Sequence, residues 1–264
     1  MRAEQDPAGA DERRARMLAV IEGTSFTRVA ELSERFGVST VTVRGDLERL
    51  EADGAVTRIR GGAMPVRVPR ERPFEQARIE AAEQKERIAQ AAVRQLASGM
   101  SVMLDVGTTT SAIARALAAH GELRDLTVIT NGLTIALTLE PVLDRIDVIV
   151  AGGTLRQLQH SLVPPLADGV LGRVHADIAF IGCTGVDGAA GVTNINLPES
   201  EVKRAMITGA ARTVVVADSS KLGRAHIGRV ADLGAVDLLI TGADAPRSAL
   251  AALRSHGLKG IATV

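Results

Sequence analysis

The sequence predicts an α/β protein in two parts, a winged helix-turn-helix followed by a larger domain built on a parallel sheet. Three apolar-periodic helices and an arginine-bearing strand occupy residues 11–60, and a segment rich in proline and arginine follows at 61–73. From residue 74 onward, short apolar runs alternate with helical periodicity. Such alternation is typical of a parallel sheet covered by helices.

Composition limits the classes of function. The 264 residues, 46% of them hydrophobic, suffice for two domains. A single cysteine, Cys183, excludes an internal disulfide and fits a reducing cytosol. The 31 basic and 31 acidic residues balance, so any DNA contact must come from a local patch. A charged N-terminus and the lack of an apolar run of roughly 20 residues predict a cytoplasmic protein with no membrane partner.

The first two helices are predicted from apolar spacing and from their ends. The first starts near Asp11 and stops near Gly23. The second runs from Thr27, which we expect to cap it, to Phe36. Gly37 then ends it, because glycine accepts the left-handed conformation common after helices. The apolar positions are Met17, Leu18, Val20 and Ile21 in the first helix and Val29, Ala30, Leu32 and Phe36 in the second.

The third helix is predicted to begin after the cap residue Ser39 and to point Val43, Leu47 and Leu50 inward. The short turn before it makes a helix-turn-helix, whose second helix reads the major groove with its N-terminal residues. A strand at 55–60 follows as a wing, with Val56 and Ile59 expected inward. The residues expected to contact DNA are Ser39, Thr40, Thr42, Val43, Arg44, Arg58 and Arg60.

The alternative is a plain helical bundle, in which such arginines are only solvated. The absence of Trp and Tyr argues against base stacking on single strands. We therefore expect double-stranded DNA as the partner, with Arg44 contacting guanine or a phosphate.

The predicted boundaries are 9–64 for the DNA-binding domain, 65–73 for a semi-rigid linker, and 74–264 for an α/β domain that senses an effector and oligomerises. Strands are expected at 101–104, 126–130, 146–150, 178–182, 213–217, 238–241 and 260–264. Helices are expected at 75–96, 109–119, 133–140, near 166–174, and at 200–211 and 247–255. The runs VIVAGG and VVVAD indicate strands buried on both faces.

The first strand of this domain ends in DVGTTT and runs directly into a helix. Free N–H groups and a partial positive charge at such a helix end favour an anion, most naturally phosphate. The spacing matches neither a Walker loop nor a GxGxxG fingerprint, which argues against ATP and NAD, and no cofactor is expected. The alternative is simple capping by Thr108 or Thr109.

Other strand ends carry similar polar and glycine residues, which would meet at one edge of the sheet and form a pocket. Lys221 is expected to pair with a phosphate, and Asp105 or Asp218 with sugar hydroxyls. The five histidines are scattered without the spacing of metal ligands, so no metal site is expected. The expected effector-binding residues are Asp105, Gly107, Thr108, Thr109, Thr110, Asn131, Gly152, Gly153, Gly185, Lys203, Asp218 and Lys221.

Both parts resemble the DeoR family of bacterial transcription regulators. In the N-terminal part the resemblance is carried by Val38-Ser39, TVRGDL at 42–47, Leu50-Glu51, Gly54 and RGGA at 60–63. In the second part it is carried by residues 105–110, 130–131, 152–153, 182, 185, 191–193, 203–204 and 218–221. Gly45 replaces an arginine of the family, and Pro164-Pro165 stands where the family has glycine.

The resemblance implies a homo-oligomeric repressor of a carbohydrate operon that senses a phosphorylated sugar. It also implies a sensor similar in fold to ribose-5-phosphate isomerase. The family's isomerase relatives use an acid-rich DGADE segment in proton transfer, and this chain has GCTGVD at 182–187. We therefore expect no enzyme. The alternatives are an isomerase-like enzyme with an accessory DNA-binding arm and a constitutive architectural DNA binder.

Overall fold

The computed structural model describes residues 7–24, 26–65 and 71–264. The chain divides into two compact units, with the boundary between Pro69 and Arg70. Most of the predicted linker, residues 66–70, lies outside the described residues. The two units are described separately below.

The first unit is a winged helix-turn-helix, as predicted. Its three strands form an antiparallel sheet in the order β1-β3-β2, and β2 and β3 make the wing. Thr27 was expected to cap the second helix, but it lies in β1 and pairs with Ala63. The elements are α1 (Pro7–Glu22), β1 (Thr27–Arg28), α2 (Val29–Phe36), α3 (Thr40–Ala52), β2 (Val56–Ile59) and β3 (Gly62–Pro65).

The turn between α2 and α3 is set by two local interactions that the sequence predicts. Gly37 ends α2 with a φ of 63°, in the left-handed region. The Ser39 Oγ accepts a hydrogen bond from the Thr42 N–H at 3.1 Å and so caps α3. Val56 and Ile59 of β2 were both predicted to point inward. Val56 is buried, but Ile59 is exposed, so the prediction for Ile59 is wrong. Residues three apart in a strand point to opposite faces, so both could not face the core.

One buried ion pair fixes α1 against α3. Asp46, in the middle of α3, is 5% exposed. Its two carboxylate oxygens accept hydrogen bonds from Arg13 Nε at 2.7 Å and Arg13 Nη2 at 3.1 Å. A second contact comes from Arg14 at 3.5 Å. The surrounding core is apolar and includes Met17 and Leu47, so this pair sets how the two helices are oriented.

The second unit alternates strands and helices around a parallel sheet, which confirms the predicted fold class. Its helices are α4 (Phe74–Ile79), α5 (Ala82–Val93), α6 (Thr108–Ala119), α7 (Leu133–Leu139), α8 (Ala167–Leu171), α9 (Leu197–Thr208) and α10 (Arg247–Ser255). Its strands are β4 (Ser101–Leu104), β5 (Leu126–Thr130), β6 (Ile146–Val150), β7 (Thr154–Arg156), β8 (Ser161–Val163), β9 (Ile178–Gly182), β10 (Gly185–Asp187), β11 (Gly191–Asn194), β12 (Thr213–Val216), β13 (Gly228–Ala231), β14 (Leu238–Thr241) and β15 (Ile261–Thr263).

The main sheet has seven strands in the order β15-β14-β12-β9-β4-β5-β6, and all pairings are parallel. From β4 the chain builds outward through β5 to β6, then returns to the other side of β4 and builds through β9 and β12. The direction of winding therefore reverses between β4 and β9. In open parallel sheets, ligands bind at such a reversal, outside the carboxyl ends of the strands.

Two smaller structures were not predicted from the sequence. Strands β7 and β8 form an antiparallel ribbon, and β10, β11 and β13 form a three-stranded sheet. These strands are three or four residues long. Runs this short give little periodic signal in the sequence.

Two predicted elements of the second unit need correction. The single helix expected at 75–96 is two helices, because Ala81 adopts a φ of 48°. The buried ammonium of Lys85 bonds the carbonyls of Ala77 and Glu80 at 2.5 and 2.6 Å at this break. The run VIVAGG was expected to be buried on both faces, but β6 is an edge strand, and its Ile149 and Val150 are exposed.

The Asp46 ion pair leads to a prediction about stability. Replacing Asp46 by Ala leaves the half-buried Arg13 without its carboxylate. We expect the first unit to lose about 2 kcal/mol of unfolding free energy, between the values typical of surface and buried pairs. Hydrogen exchange of the α3 amides in the full chain measures this loss.

Asp11→Ala is the control, because Asp11 pairs with Arg14 on the surface, where its side chain is 75% exposed. We expect the control to lose less than about 1 kcal/mol. Equal losses in the two variants would show that the Asp46 pair has no special structural role.

Candidate functional site

The first candidate surface is the exposed side of α3. Thr40, Val41 and Arg44 are exposed on its first turns, and Val41 is 73% exposed. No carboxylate of the described residues pairs with the Arg44 guanidinium. An unpaired arginine beside a hydroxyl and a branched apolar side chain suits base edges and thymine methyls in a major groove.

Three of the predicted DNA contacts have other roles. Val43 is fully buried in the core of the first unit, so its prediction as a DNA contact is wrong. It shares the inward stripe of α3 with Leu47 and Leu50, which the same spacing had placed inside. Ser39 and Thr42 bond each other through their hydroxyl oxygens at 2.9 Å while forming the helix cap. Sequence reasoning missed Val41, which the 3.6-residue period places on the face opposite this stripe.

The wing arginines differ from each other. Arg58 was expected to reach the minor groove or the DNA backbone. Its Nη1 lies 2.8 Å from Glu48 Oε1, and its backbone N–H donates to Glu51 Oε1 at 2.9 Å. Arg58 therefore ties the wing to α3. Arg60 is exposed and forms no ion pair with the described residues. A groove between α2, α3 and the wing is lined in part by Thr40, Arg44 and Arg58.

The second candidate site lies where the winding of the large sheet reverses. Gly107 follows β4 with a φ of 153° and precedes the first turn of α6. Its carbonyl accepts hydrogen bonds from Thr110 Oγ1 at 3.0 Å and from the Ser111 N–H at 2.9 Å. The N–H groups at the start of a helix lack partners within the helix. Thr110 and Thr109 are buried, which leaves half-buried Thr108 as the most accessible of the three threonines.

A buried ion pair lies beneath this helix end. Lys203 of α9 donates to Asp105 Oδ2, which also accepts from the Gly182 N–H at 3.1 Å. Both charged side chains are almost fully buried. Burial raises the pKa of Asp105 to about 6, against the lowering effect of Lys203. Burial by itself would lower the pKa of Lys203, but Asp105 and Glu199 outweigh it and raise this pKa.

The predicted roles of Asp105 and Lys203 as open effector ligands are therefore not what the geometry shows. The two side chains pair with each other and join the ends of β4 and β9 to α9. Among the described residues, Asp105 Oδ1 has no hydrogen-bond partner.

Other predicted residues shape the same edge of the sheet. Buried Asn131 accepts from the Val106 N–H at 2.9 Å and donates to the Leu162 carbonyl at 3.1 Å, so it connects β5, β4 and β8. Gly152 is exposed. A side chain at Gly153 would collide with the Val163 backbone, and one at Gly185 would collide with the Arg224 backbone. Gly153 and Gly185 therefore permit a close approach of two backbone segments.

The last predicted pair stands at the end of β12. Asp218 Oδ1 accepts from the Ser220 N–H at 3.0 Å and caps the short turn Ser219–Lys221. The Lys221 ammonium lies 3.8 Å from Asp218 and its side chain is 26% exposed. Of the two lysines expected to meet an effector, Lys221 is therefore the accessible one.

Two further features bear on reactivity and metal binding, namely the Cys183 thiol and the grouping of possible metal ligands. Burial raises the pKa of the Cys183 thiol to about 12, so the thiol stays protonated and is a poor nucleophile. In the parts of the chain that the structure describes, no group of three or more His, Cys, Asp or Glu side chains could hold a metal ion. No helix in these parts is both long and apolar enough to cross a membrane.

Sequence reasoning missed one functional-looking cluster. Arg156 of β7 pairs with Glu71 and with buried Glu199, and Ser161 Oγ donates to Glu199 at 2.7 Å. From the sequence, capping of a helix and ligand binding explained Glu199 about equally well. The ribbon that carries Arg156 and Ser161 was not predicted, so no sequence signal could have placed these side chains together.

Both units match known families. Residues 13–67 match the family model described as the DeoR-like helix-turn-helix domain, and residues 80–243 match that of the DeoR C-terminal sensor domain.

Relatives match over most of their length. The chain is 37% identical to the HTH-type transcriptional regulator GlpR of Haloferax volcanii, over 87% of this chain and 89% of the relative. It is 33% identical to a putative aga operon transcriptional repressor of Escherichia coli O157:H7, over 98% and 96%. It is 29% identical to the glycerol-3-phosphate regulon repressor of Escherichia coli K12, over 92% and 95%.

Among solved structures, ribose 5-phosphate isomerase A of Methanocaldococcus jannaschii matches 53% of this chain and 54% of its own. The identity is 19% and the TM-score is 0.40, a likeness too slight to support a functional statement.

The buried ion pair leads to a prediction that separates the two lysines. Lys203→Met leaves the Asp105 carboxylate buried without a counter-charge, and we expect a loss of about 3 kcal/mol or more of unfolding free energy. Lowering the pH toward about 5 should reduce the loss, because protonation removes the uncompensated charge of Asp105. Urea unfolding of the full chain, followed for the second unit at neutral pH and at about pH 5, measures this loss of unfolding free energy.

Lys221→Met is the matched control, and we expect it to cost less than about 1 kcal/mol because its pair is long and partly exposed. A Lys203 variant as stable as the control would contradict a structural role for Lys203.

Proposed function

Because the chain belongs to the DeoR family of transcription regulators, we propose that it is a repressor whose hold on an operator is released or modulated by a phosphorylated sugar or related metabolite. The main support is that one chain carries two features: a capped recognition helix whose Arg44 pairs with no carboxylate of the described residues, and a helix N-terminus at the reversal point of a parallel sheet. The first feature suits duplex DNA and the second suits an anionic group.

The DNA surface in this proposal consists of Thr40, Val41 and Arg44 on α3 and Arg60 on the wing. Arg58 serves mainly to hold the wing against α3 through Glu48 and Glu51. Gly45 lies on the same exposed part of α3 and offers no side chain to a phosphate. The proposed contacts therefore concentrate on Arg44.

We propose that the protein acts as a homo-oligomer. Helix-turn-helix proteins read two half-sites about 34 Å apart or at multiples of that distance, and this requires two recognition helices. Each chain supplies one such helix. A protein that binds chromosomal operators works in the cytoplasm, where we place it.

The proposed effector site is formed by the start of α6 with Gly107 and Thr108, together with Lys221. The N–H groups of the helix end and the Lys221 ammonium supply the donors and the positive charge that a phosphate needs. The names of two relatives, a glycerol-3-phosphate regulon repressor and a putative aga operon repressor, support a small metabolite of carbohydrate catabolism.

We propose that this site carries out no catalysis. Asp187, the acid retained in the segment that resembles the isomerase sequence, accepts hydrogen bonds from the N–H groups of Ala189 and Ala190 at 2.9 and 3.0 Å. These bonds lower the pKa of Asp187. A carboxylate committed to a turn in this way is a weak base for abstracting a proton.

The experiment that tests the proposed function measures operator binding by the full chain with and without a panel of phosphorylated sugars and glycerol 3-phosphate. We expect a specific duplex to be preferred over random competitor, and at least one panel compound to change this affinity by about five-fold or more. Isomerase turnover of a panel compound, or DNA affinity that no compound changes, would overturn the proposal.

Arg44→Ala should weaken binding to the preferred operator by about 1–3 kcal/mol, because one base-edge or phosphate contact is lost. The Arg49→Ala variant is the control, since Arg49 lies on the same helix but pairs with Asp53 near its C-terminal end. Fluorescence anisotropy at fixed salt measures both. Operator affinity that is unchanged in Arg44→Ala would place the recognition surface elsewhere.

Lys221→Ala should weaken the effect of the active panel compound on operator affinity while leaving binding in its absence unchanged. The reason is that Lys221 supplies the accessible positive charge of the proposed effector site. Titration of the compound against the preformed operator complex measures the shift. A dose response identical to that of the wild type would remove Lys221 from the site.

A further inference from the structure

The β7-β8 ribbon holds the last residues of the predicted linker, where the described part of the chain resumes at residue 71. The Phe74 N–H donates to the Leu158 carbonyl at 2.9 Å, and the Phe74 ring lies 5.4 Å from the ring of His160. The Gln159 side chain donates to the Arg72 carbonyl at 2.6 Å. The turn of the ribbon therefore binds the segment 71–74. In the sequence, residues 66–70 connect this segment to the DNA-binding unit.

Arg156, at the end of β7, joins this segment to the interior of the second unit. Its Nη2 lies 2.6 Å from Glu71 Oε2, and its Nη1 lies 3.4 Å from Glu71 Oε1. The same Nη1 bonds Glu199 Oε1. One guanidinium is thus shared between a carboxylate of the predicted linker, Glu71, and a carboxylate at the start of α9, Glu199.

Glu199 lies one helical turn before Lys203 on α9, so it is a neighbour of the buried pair of Lys203 and Asp105 at the reversal point of the sheet. It is buried and accepts from Ser161 Oγ at 2.7 Å and from Asn194 Nδ2 at 3.4 Å. Its charge acts on both members of the buried pair, since it raises the pKa values of Lys203 and Asp105. Charge brought to this edge of the sheet therefore acts on Glu199 as well.

The charges in this cluster make the shared arginine sensitive to an added anion. Glu71, Arg156 and Glu199 have side chains only 12%, 19% and 5% exposed, so water screens their interactions weakly. Two carboxylates compete for one guanidinium. A further anion near Glu199 would draw the guanidinium toward itself and reduce the share held by Glu71.

We propose that Arg156 is the positioning residue through which occupancy of the effector site is transmitted to the linker. This inference depends on the proposed function for the identity of the signal. In it, an anionic effector weakens the Arg156–Glu71 pair and loosens the segment 71–74, which is the end of the predicted linker to the DNA-binding unit. The role requires arginine, because the planar fork bonds two carboxylates at once and a lysine ammonium cannot match that geometry.

The first experiment uses no effector and therefore tests the network independently of the proposed function. Hydrogen exchange of the Phe74 amide is measured in the full chain for Glu71→Gln, Glu199→Gln and the double variant. If both carboxylates act through Arg156, the two effects on the exchange rate are non-additive. If the change in exchange rate in the double variant is the product of the changes in the two single variants, the sites are independent. Arg156 then does not couple Glu71 to Glu199.

The second experiment measures the response to glycerol 3-phosphate and the other panel compounds. In Arg156→Lys and Glu71→Gln, we expect thermal-shift binding of the active compound to stay within about two-fold of the wild type. The compound's effect on operator affinity should fall from about five-fold or more to less than about two-fold. Phe74 amide exchange should rise with the compound in the wild type and stay constant in Arg156→Lys.

Asp237→Asn is the matched control. Asp237 also pairs with a cation and with a backbone N–H, through Lys259 at 2.8 Å and Thr213 at 2.8 Å. Asp237 directly precedes β14. It therefore lies at the amino-terminal ends of the parallel strands, whereas the proposed effector site lies at their carboxyl ends. We expect a wild-type response in this variant, which separates loss of one ion pair from loss of the transmitting pair.

The outcomes distinguish the two proposals. If Arg156→Lys binds and responds to the active compound as the wild type does, the transmission proposal fails and the effector function stands. If no panel compound alters the wild type, the effector function fails, and the non-additivity of the exchange experiment still decides whether Arg156 bridges Glu71 and Glu199.

Discussion

The buried pair of Asp105 and Lys203 is the interaction on which the second unit depends. It lies where the winding of the sheet reverses, and it holds the ends of β4 and β9 against α9. Two charges removed from water remain stable only as a pair, so neither side chain is free to move separately. The pair therefore fixes α9 against the end of β4, the strand that leads into α6.

The first unit relies on a similar device at a smaller scale. Asp46 bonds Arg13 and Arg14 and so orients α3 on α1, while Gly37 and Ser39 set the turn that precedes α3. With the inner side of α3 fixed, the exposed first turns present Thr40, Val41 and Arg44 together. A residue of the family motif, Asp46, thus has a structural explanation and need not contact DNA.

The charged side chains of the two units fall into two groups: those paired within the protein and those accessible to a ligand. Arg58, Arg156 and Lys203 are paired with carboxylates and fix one element against another. Arg44 and Lys221 are more accessible and are available for a partner or an effector. The formal net charge of the chain is zero, so in the proposed function the attraction to DNA is local and comes from accessible arginines of the first unit such as Arg44.

Much of the fold was determined by the sequence itself. Local patterns were enough for Gly37, for the Ser39 cap and for strands such as β4, β5 and β9, because the relevant interactions lie within a few residues or within one buried run. The family resemblance identified both parts of the chain.

Only the tertiary structure decided that Arg58 is paired and that Lys203 meets Asp105 across 98 positions of the chain. It also decided that Arg156 joins Glu71 to Glu199. The physical reason is that a side chain's partner, unlike its helical or strand propensity, depends on which distant elements the sheet order brings to the same edge.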